Sequence, residues 1–136
     1  MERQSKNEKL LQYFKDICRI PRQTGDEETI SQYLLDFAKA RGLQAERDAH
    51  HNVLIRKPST IPGYKGPTVI VQGHMDIVYE KSADSTHKYE DGIHVVEEDG
   101  YLKSADGTSL GADNGLAVAY ACLLYTSDAA DDTPCV

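Results

Sequence analysis

The chain has 136 residues, with 15 Lys and Arg against 22 Asp and Glu, and a formal charge of −7. That length suits one domain of about 100–200 residues, able to bury about two-thirds of its unfolded surface. The acidic balance argues against a nucleic-acid binder, which needs a basic face for phosphates, but leaves cation binding open.

The polar opening MERQSKNEK is followed by no long apolar run, so neither a signal peptide nor a membrane span is expected. Leu10, Leu11, Phe14, Ile17 and Cys18 fall at helical spacing and predict a first helix over residues 5–18, stopped by Pro21. Ile30, Tyr33, Leu34, Phe37, Ala38 and Arg41 predict a second. Thr24 with Glu27 offers it a capping box, Asp26-Glu27-Glu28 suits its positive end, and Gly42 supplies the stop.

The period then changes. Residues 44–48 and 52–56 read as two short strands joined by a turn through His50 and His51. A Pro- and Gly-containing loop covers 57–67. Thr68-Val69-Ile70-Val71-Gln72, β-branched and without polar alternation, predicts a strand covered on both faces. Residues 77–91 read as loop, and 93–98 with 101–103 as a hairpin turning at Asp99-Gly100. A third helix opens at Asp113 and contains Leu116, Val118, Ala119 and Tyr120. Helices before and between strands indicate an α/β layered fold.

Two short segments carry candidate chemistry. Gly73-His74-Met75-Asp76 begins where the predicted buried strand ends, and ligands collect beyond the carboxyl ends of strands in open α/β sheets. His74 and Asp76, two apart on an extended segment, point to one side. His74 is a candidate metal ligand and Asp76 a carboxylate that orients its imidazole; a satisfied strand-end histidine with a capping aspartate is the plainer reading. Leu110-Gly111-Ala112-Asp113-Asn114-Gly115 places Asp113 among small residues at a loop-to-helix junction. A carboxylate there has room to bridge two cations, and an ordinary helix N-cap is the alternative.

Several pieces in order resemble the co-catalytic zinc exopeptidases, and within them most closely the aminoacyl-histidine (Xaa-His, β-alanyl-histidine) dipeptidases. They are Ile20-Pro21-Arg22, Gly25-Asp26-Glu27-Glu28, His51 to Arg56, Val71-Gln72-Gly73-His74-Met75-Asp76-Ile77-Val78, Glu80-Lys81 and Thr108 to Gly115. The resemblance covers about residues 5–121. Asn114-Gly115, where desuccinylase-type relatives carry Met-Lys, points to the dipeptidase branch. The resemblance implies the N-terminal part of a catalytic domain, a mixed sheet flanked by helices, truncated from a larger cytoplasmic enzyme. It implies that His74 ligates one zinc, that Asp76 supports His74, that Asp113 bridges two Zn2+ ions, and that the Asp113-Asn114 peptide bond is cis. The implied reaction is hydrolysis of Xaa-His-type or other unblocked dipeptides by a water that the two metals activate. His and carboxylate ligands suit Mn2+ or Co2+ as well. A small peptide is the implied substrate, with no nucleic acid or membrane partner, and a homodimer stays open for the full-length parent.

The Glu-Glu pair, further Asp, distant His and lid domain of that family are not in this chain. Glu27-Glu28 opens a helix and Glu97-Glu98 borders a hairpin turn, so neither substitutes for the general base. The chain by itself is therefore expected to be inactive. His50-His51 reads as a solvated turn, because adjacent side chains diverge. His87 and His94 read as structural or exposed, and Tyr13, Phe14, Tyr33 and Phe37 as helix packing. The Gly107–Gly115 element lacks the register of a phosphate loop. Cys18, Cys122 and Cys135, without metal-type or redox-type spacing, read as reduced thiols of a cytoplasmic protein.

From Cys122 the family pattern stops. Residues 122–136 lack the Gly and terminal Glu of a calcium loop and resemble a translated sequencing-adapter read-through. The expected division is therefore 1–121, a partial catalytic metallopeptidase domain, and 122–136, a non-native tail. Asp128, Asp131 and Asp132 carry three of the seven surplus negative charges. Two other functions remain open at this level: a non-catalytic relative serving as a binding or scaffold module, and a tripeptidase or N-deacylase of the same superfamily.

Overall fold

The stripe of Leu10, Phe14, Ile17 and Cys18 builds α1, Glu2–Cys18, in a computed structural model that describes residues 2–126. All four side chains are buried. α2, Glu28–Lys39, buries Ile30, Leu34, Phe37 and Ala38 on its inner face. The two helices meet where Tyr13 stands edge-on to Phe37 with ring centroids 5.7 Å apart. The Arg41 guanidinium lies 3.6 Å from the Phe37 ring centroid, a cation–π contact that explains its place in the apolar series.

The capping box does not form. Glu27 at the N-cap has helical dihedrals and makes no side-chain cap bond. Its carboxylate accepts instead from the Gly25 main-chain nitrogen at 2.6 Å, and the Thr24 hydroxyl donates to Asp76 Oδ2 at 2.6 Å. With Glu27 at the N-cap, Thr24 lies too early in the chain to cap the helix.

Two antiparallel hairpins follow the sequence pattern. β1, Gln44–Arg47, pairs with β2, Val53–Arg56, with Arg47 opposite Val53. Asp48 ties the turn between them, accepting from the His50 and Asn52 main-chain nitrogens at 2.9 Å each. β3, Val95–Glu98, pairs with β4, Tyr101–Ser104, with Glu98 opposite Tyr101. Their turn residues Asp99 and Gly100 lie at φ 52° and 77°, the left-handed pair that matches strand twist in a two-residue hairpin.

The run Thr68–Gln72 departs from expectation. It joins neither sheet, and Val69, Ile70 and Val71 are 80%, 83% and 55% exposed rather than covered on both faces. The run lines a cleft of about 940 Å³ together with β2. Ala117, Val118 and Ala121 of the third helix also line it. A β-branched run becomes a buried strand only when neighbouring strands take its main-chain groups, and none does so among the described residues.

α3, Ala112–Thr126, departs from helical dihedrals at Asp113 and Asn114, whose shared peptide bond is cis. Beyond them Val118, Ala119 and Cys122 are buried against the α1 side of the core. The helix continues through Cys122–Thr126, the first five residues of the segment set apart by sequence; residues 127–136 of that segment lie outside the described residues. One core thus joins the three helices with Ile77 and Ile93, and the α/β class stands, its strands arranged as two antiparallel pairs.

Candidate metal centre

The segment that follows the exposed run is anchored at Ile77. The Ile77 nitrogen donates to Arg22 O at 2.9 Å and the Thr24 nitrogen donates to Ile77 O at 3.1 Å, a short parallel bridge. The Ile77 side chain is buried in the core. This fixes the chain immediately after His74 and Asp76. On the other side, Gly73 passes so close to α3 that an added Cβ would stand 3.0 Å from the Ala117 Cβ. The approach brings the strand-end segment beside the start of α3, where Asp113 sits.

His74 and Asp113, 39 positions apart, meet there. His74 Nε2 lies 3.1 Å from Asp113 Oδ1. His74 Nδ1 lies 3.0 Å from the Asp76 main-chain oxygen and 3.2 Å from Asp76 Oδ1. A carbonyl oxygen can only accept, so Nδ1 carries the proton. In the neutral ring, Nε2 then aims its lone pair at a carboxylate oxygen. Two electron-pair donors converging on one point call for a cation between them, a proton or a metal ion.

The electrostatics agree. The Asp76 carbonyl, with lesser help from Asp113, raises the His74 pKa above its ordinary value. The Thr24 hydroxyl chiefly holds Asp76 below the usual carboxylate range. Asp76 thus contacts His74 Nδ1 through its main-chain oxygen as well as its carboxylate, whose second oxygen accepts from Thr24. The Asp113 side chain is 90% exposed and that of His74 50%, so an ion and a substrate have access. One imidazole nitrogen and one carboxylate suit Zn2+ and also Mn2+ or Co2+, but are fewer than the three or four protein donors zinc takes.

The other candidates lie apart. Glu98 pairs with Lys103 at 2.9 Å, and Glu27 serves Gly25; neither bonds to His74 or Asp113. His87, His94 and Asp106 have ligand atoms within 4.8 Å of one another. Hydrogen bonds already occupy both His87 nitrogens, Nδ1 with the Tyr79 hydroxyl at 2.8 Å and Nε2 with Gly92 O at 2.6 Å. His94 Nδ1 engages Asp106 at 2.7 Å. These three residues are thus already engaged in hydrogen bonds with Tyr79, Gly92 and one another.

Two contributors escaped the reading of spacing and motif. Thr24 holds Asp76. Arg22, 1% exposed, donates from Nη1 to Met75 O at 2.8 Å and from Nη2 to Gly111 O at 2.9 Å. Burial lowers its pKa, opposed first by Cys18 and then by Asp76 and Tyr89. In sequence Arg22 is one residue of the Ile20-Pro21-Arg22 piece, and nothing local marks it as reaching two loops.

No family model matches the chain. It is 37% identical over 119 residues to the cytosol non-specific dipeptidase of Escherichia coli (strain K12), covering 88% of this chain and 24% of that protein. Its structure matches that of aminoacylhistidine dipeptidase from Vibrio alginolyticus with a TM-score of 0.81 and 34% identity, over 87% of this chain and 24% of that one. The chain therefore spans about a quarter of the length of these two relatives. The resemblance read from the sequence agrees with both comparisons, each of which is to a dipeptidase and the structural one to an aminoacylhistidine dipeptidase, and the α/β fold is similar to that of a dipeptidase domain over the shared part.

Proposed function

We propose that the chain is part of a metal-dependent dipeptidase that hydrolyses Xaa-His-type or other unblocked dipeptides, with His74 and Asp113 as metal ligands. The observation that carries this reading is the convergence of His74 Nε2 and Asp113 Oδ1 at 3.1 Å, from two segments far apart in sequence. The names of the two relatives point to the same reaction class.

In this reading Asp76 fixes the His74 tautomer so that Nε2 would be available to hold an ion, and Thr24 holds Asp76 in its charged form. Asp113, with two carboxylate oxygens, is the residue suited to bridge two Zn2+ ions, with Mn2+ or Co2+ as alternatives. When bound, such a pair supplies Lewis acidity to the scissile carbonyl and makes a water nucleophilic near neutral pH. A small peptide as substrate, a cytosolic location and a homodimer of the longer protein belong to the same reading. Among the described residues no helix is long and apolar enough to cross a membrane.

His74 and Asp113 do not complete a zinc coordination shell, and among the described residues no Glu bonds to either. The chain alone is accordingly inactive in this reading. The test is calorimetric titration of the chain with Zn2+ or Co2+, before and after His74→Ala and Asp113→Ala. Binding that survives both substitutions unchanged overturns the ligand assignment. In the full-length gene product, a panel of unblocked dipeptides, tripeptides and N-acyl amino acids decides the substrate class.

A further inference from the structure

We infer that Arg22 is a positioning residue: its guanidinium ties the loop carrying His74 to the segment carrying Asp113 and thereby sets how the two side chains meet. The inference rests on the reading of those two residues as metal ligands.

Each end of the tie is placed next to the chemistry. Met75 O, which accepts from Nη1 at 2.8 Å, belongs to the residue between His74 and Asp76. Gly111 O, which accepts from Nη2 at 2.9 Å, lies two residues before Asp113. One planar, rigid group therefore joins both ligand-bearing segments through main-chain oxygens, which move only if the segments themselves move. A guanidinium presents its donors in a fixed fork, so the two oxygens are held at a set separation and angle.

The surroundings are shaped for this group. An added Cβ at Gly111 would meet Nη2 at 2.7 Å, and one at Gly115 would meet it at 2.5 Å. Two of the glycines around Asp113 thus leave the space that the guanidinium fills. Gly111 additionally adopts φ 74°, a backbone conformation that side chains disfavour. The Arg22 main chain is anchored to the same segment, its carbonyl accepting from the Ile77 nitrogen at 2.9 Å. A fully buried Arg whose Nε has no partner is a costly choice for packing alone. Its bonds to two site loops give that choice a purpose.

The test is Co2+ titration of the chain, followed by visible absorption and by amide 1H–15N spectra, for Arg22→Met, Arg22→Lys and Gly115→Ala. His74→Ala marks the signal from the site. Arg22→Met is expected to weaken Co2+ binding about 10–100-fold, the usual effect of losing a group that orients a ligand. Its amide shifts should concentrate at Met75–Ile77 and Gly111–Gly115. Arg22→Lys, which keeps the charge but not the fork, should recover only part of the loss. Gly115→Ala, which crowds Nη2 while keeping Arg22, should weaken binding in the same way. A folded Arg22→Met protein that binds Co2+ like the parent overturns the inference, because a merely structural arginine would lower the melting temperature and spare the affinity. Should Arg22→Met not fold, unchanged affinity in Gly115→Ala overturns it. Should the unsubstituted chain show no Co2+ signal sensitive to His74→Ala, the ligand reading fails. The tie is then judged by the amide spectra, and unmoved Met75 and Gly111 resonances in the folded variants reject it.

Discussion

His74 Nε2 stands 3.1 Å from Asp113 Oδ1, although the two residues are 39 positions apart and one lies on a loop and the other in the distorted first turn of α3. Because Asp76 O requires a proton on His74 Nδ1, the pair would offer a cation two donors in the reading proposed above. A metal ion entering between them competes with a proton. The raised pKa of His74 means that this competition reaches higher in pH than for an ordinary imidazole. Zn2+ or Co2+ affinity is expected to rise with pH until it passes the His74 pKa and then to level. The sign for stability without metal is opposite: protonated His74 stabilises the fold below its unfolded pKa, and that contribution disappears as pH rises through the folded value. Calorimetry across pH 5–8 (roughly the histidine range) measures both, and affinity that is flat with pH speaks against His74 as the ligand.

The helix pair that carries the core predicts a specific weak point. Phe14 is 1% exposed, in the cluster that joins α1 to α3. Phe14→Ala should cost about 3–5 kcal/mol, since the lost aromatic leaves a cavity the surrounding helices cannot fully close. Urea unfolding monitored by circular dichroism gives the number. A cost below about 1 kcal/mol would be typical of a surface site and would contradict this packing.

Burial also predicts the thiol chemistry. Cys18 and Cys122 are buried, and burial raises both pKa values, that of Cys122 to about 12. The thiolate is the reactive form, so neither group should react with a disulfide reagent at pH 8 in the folded protein. A Cys135→Ser variant isolates the two. Reaction only after denaturant is the expected result, and equal rates with and without denaturant would refute it.

The exposed wall of the cleft predicts association. Val69, Ile70 and Val71 form an unpaired apolar run beside an open edge of β2, the kind of edge that pairs with other chains. Ile70→Lys, at a side chain 83% exposed, should reduce light scattering at a given concentration without lowering the melting temperature. Identical scattering in both proteins would place the association elsewhere.

The sequence by itself determined the local elements. Period and turn chemistry located α1, α2, both hairpins and the start of α3, because a 3.6-residue stripe, an alternating run and an Asp-Gly turn are each written in neighbouring residues. His74, Asp76 and Asp113 were legible as candidates from two short motifs. Tertiary structure alone decided what those residues meet. Thr24 does not cap, because α2 starts at Glu28 and leaves it three residues short of the N-cap; its hydroxyl donates to Asp76, 52 positions away. Arg22 bonds to two loops that no spacing rule connects. Thr68–Gln72 had the composition of a covered strand but lies uncovered, because a strand is completed by its neighbours and not by its own residues. Local chemistry chooses elements; the meeting of His74 with Asp113 exists only once the chain has packed.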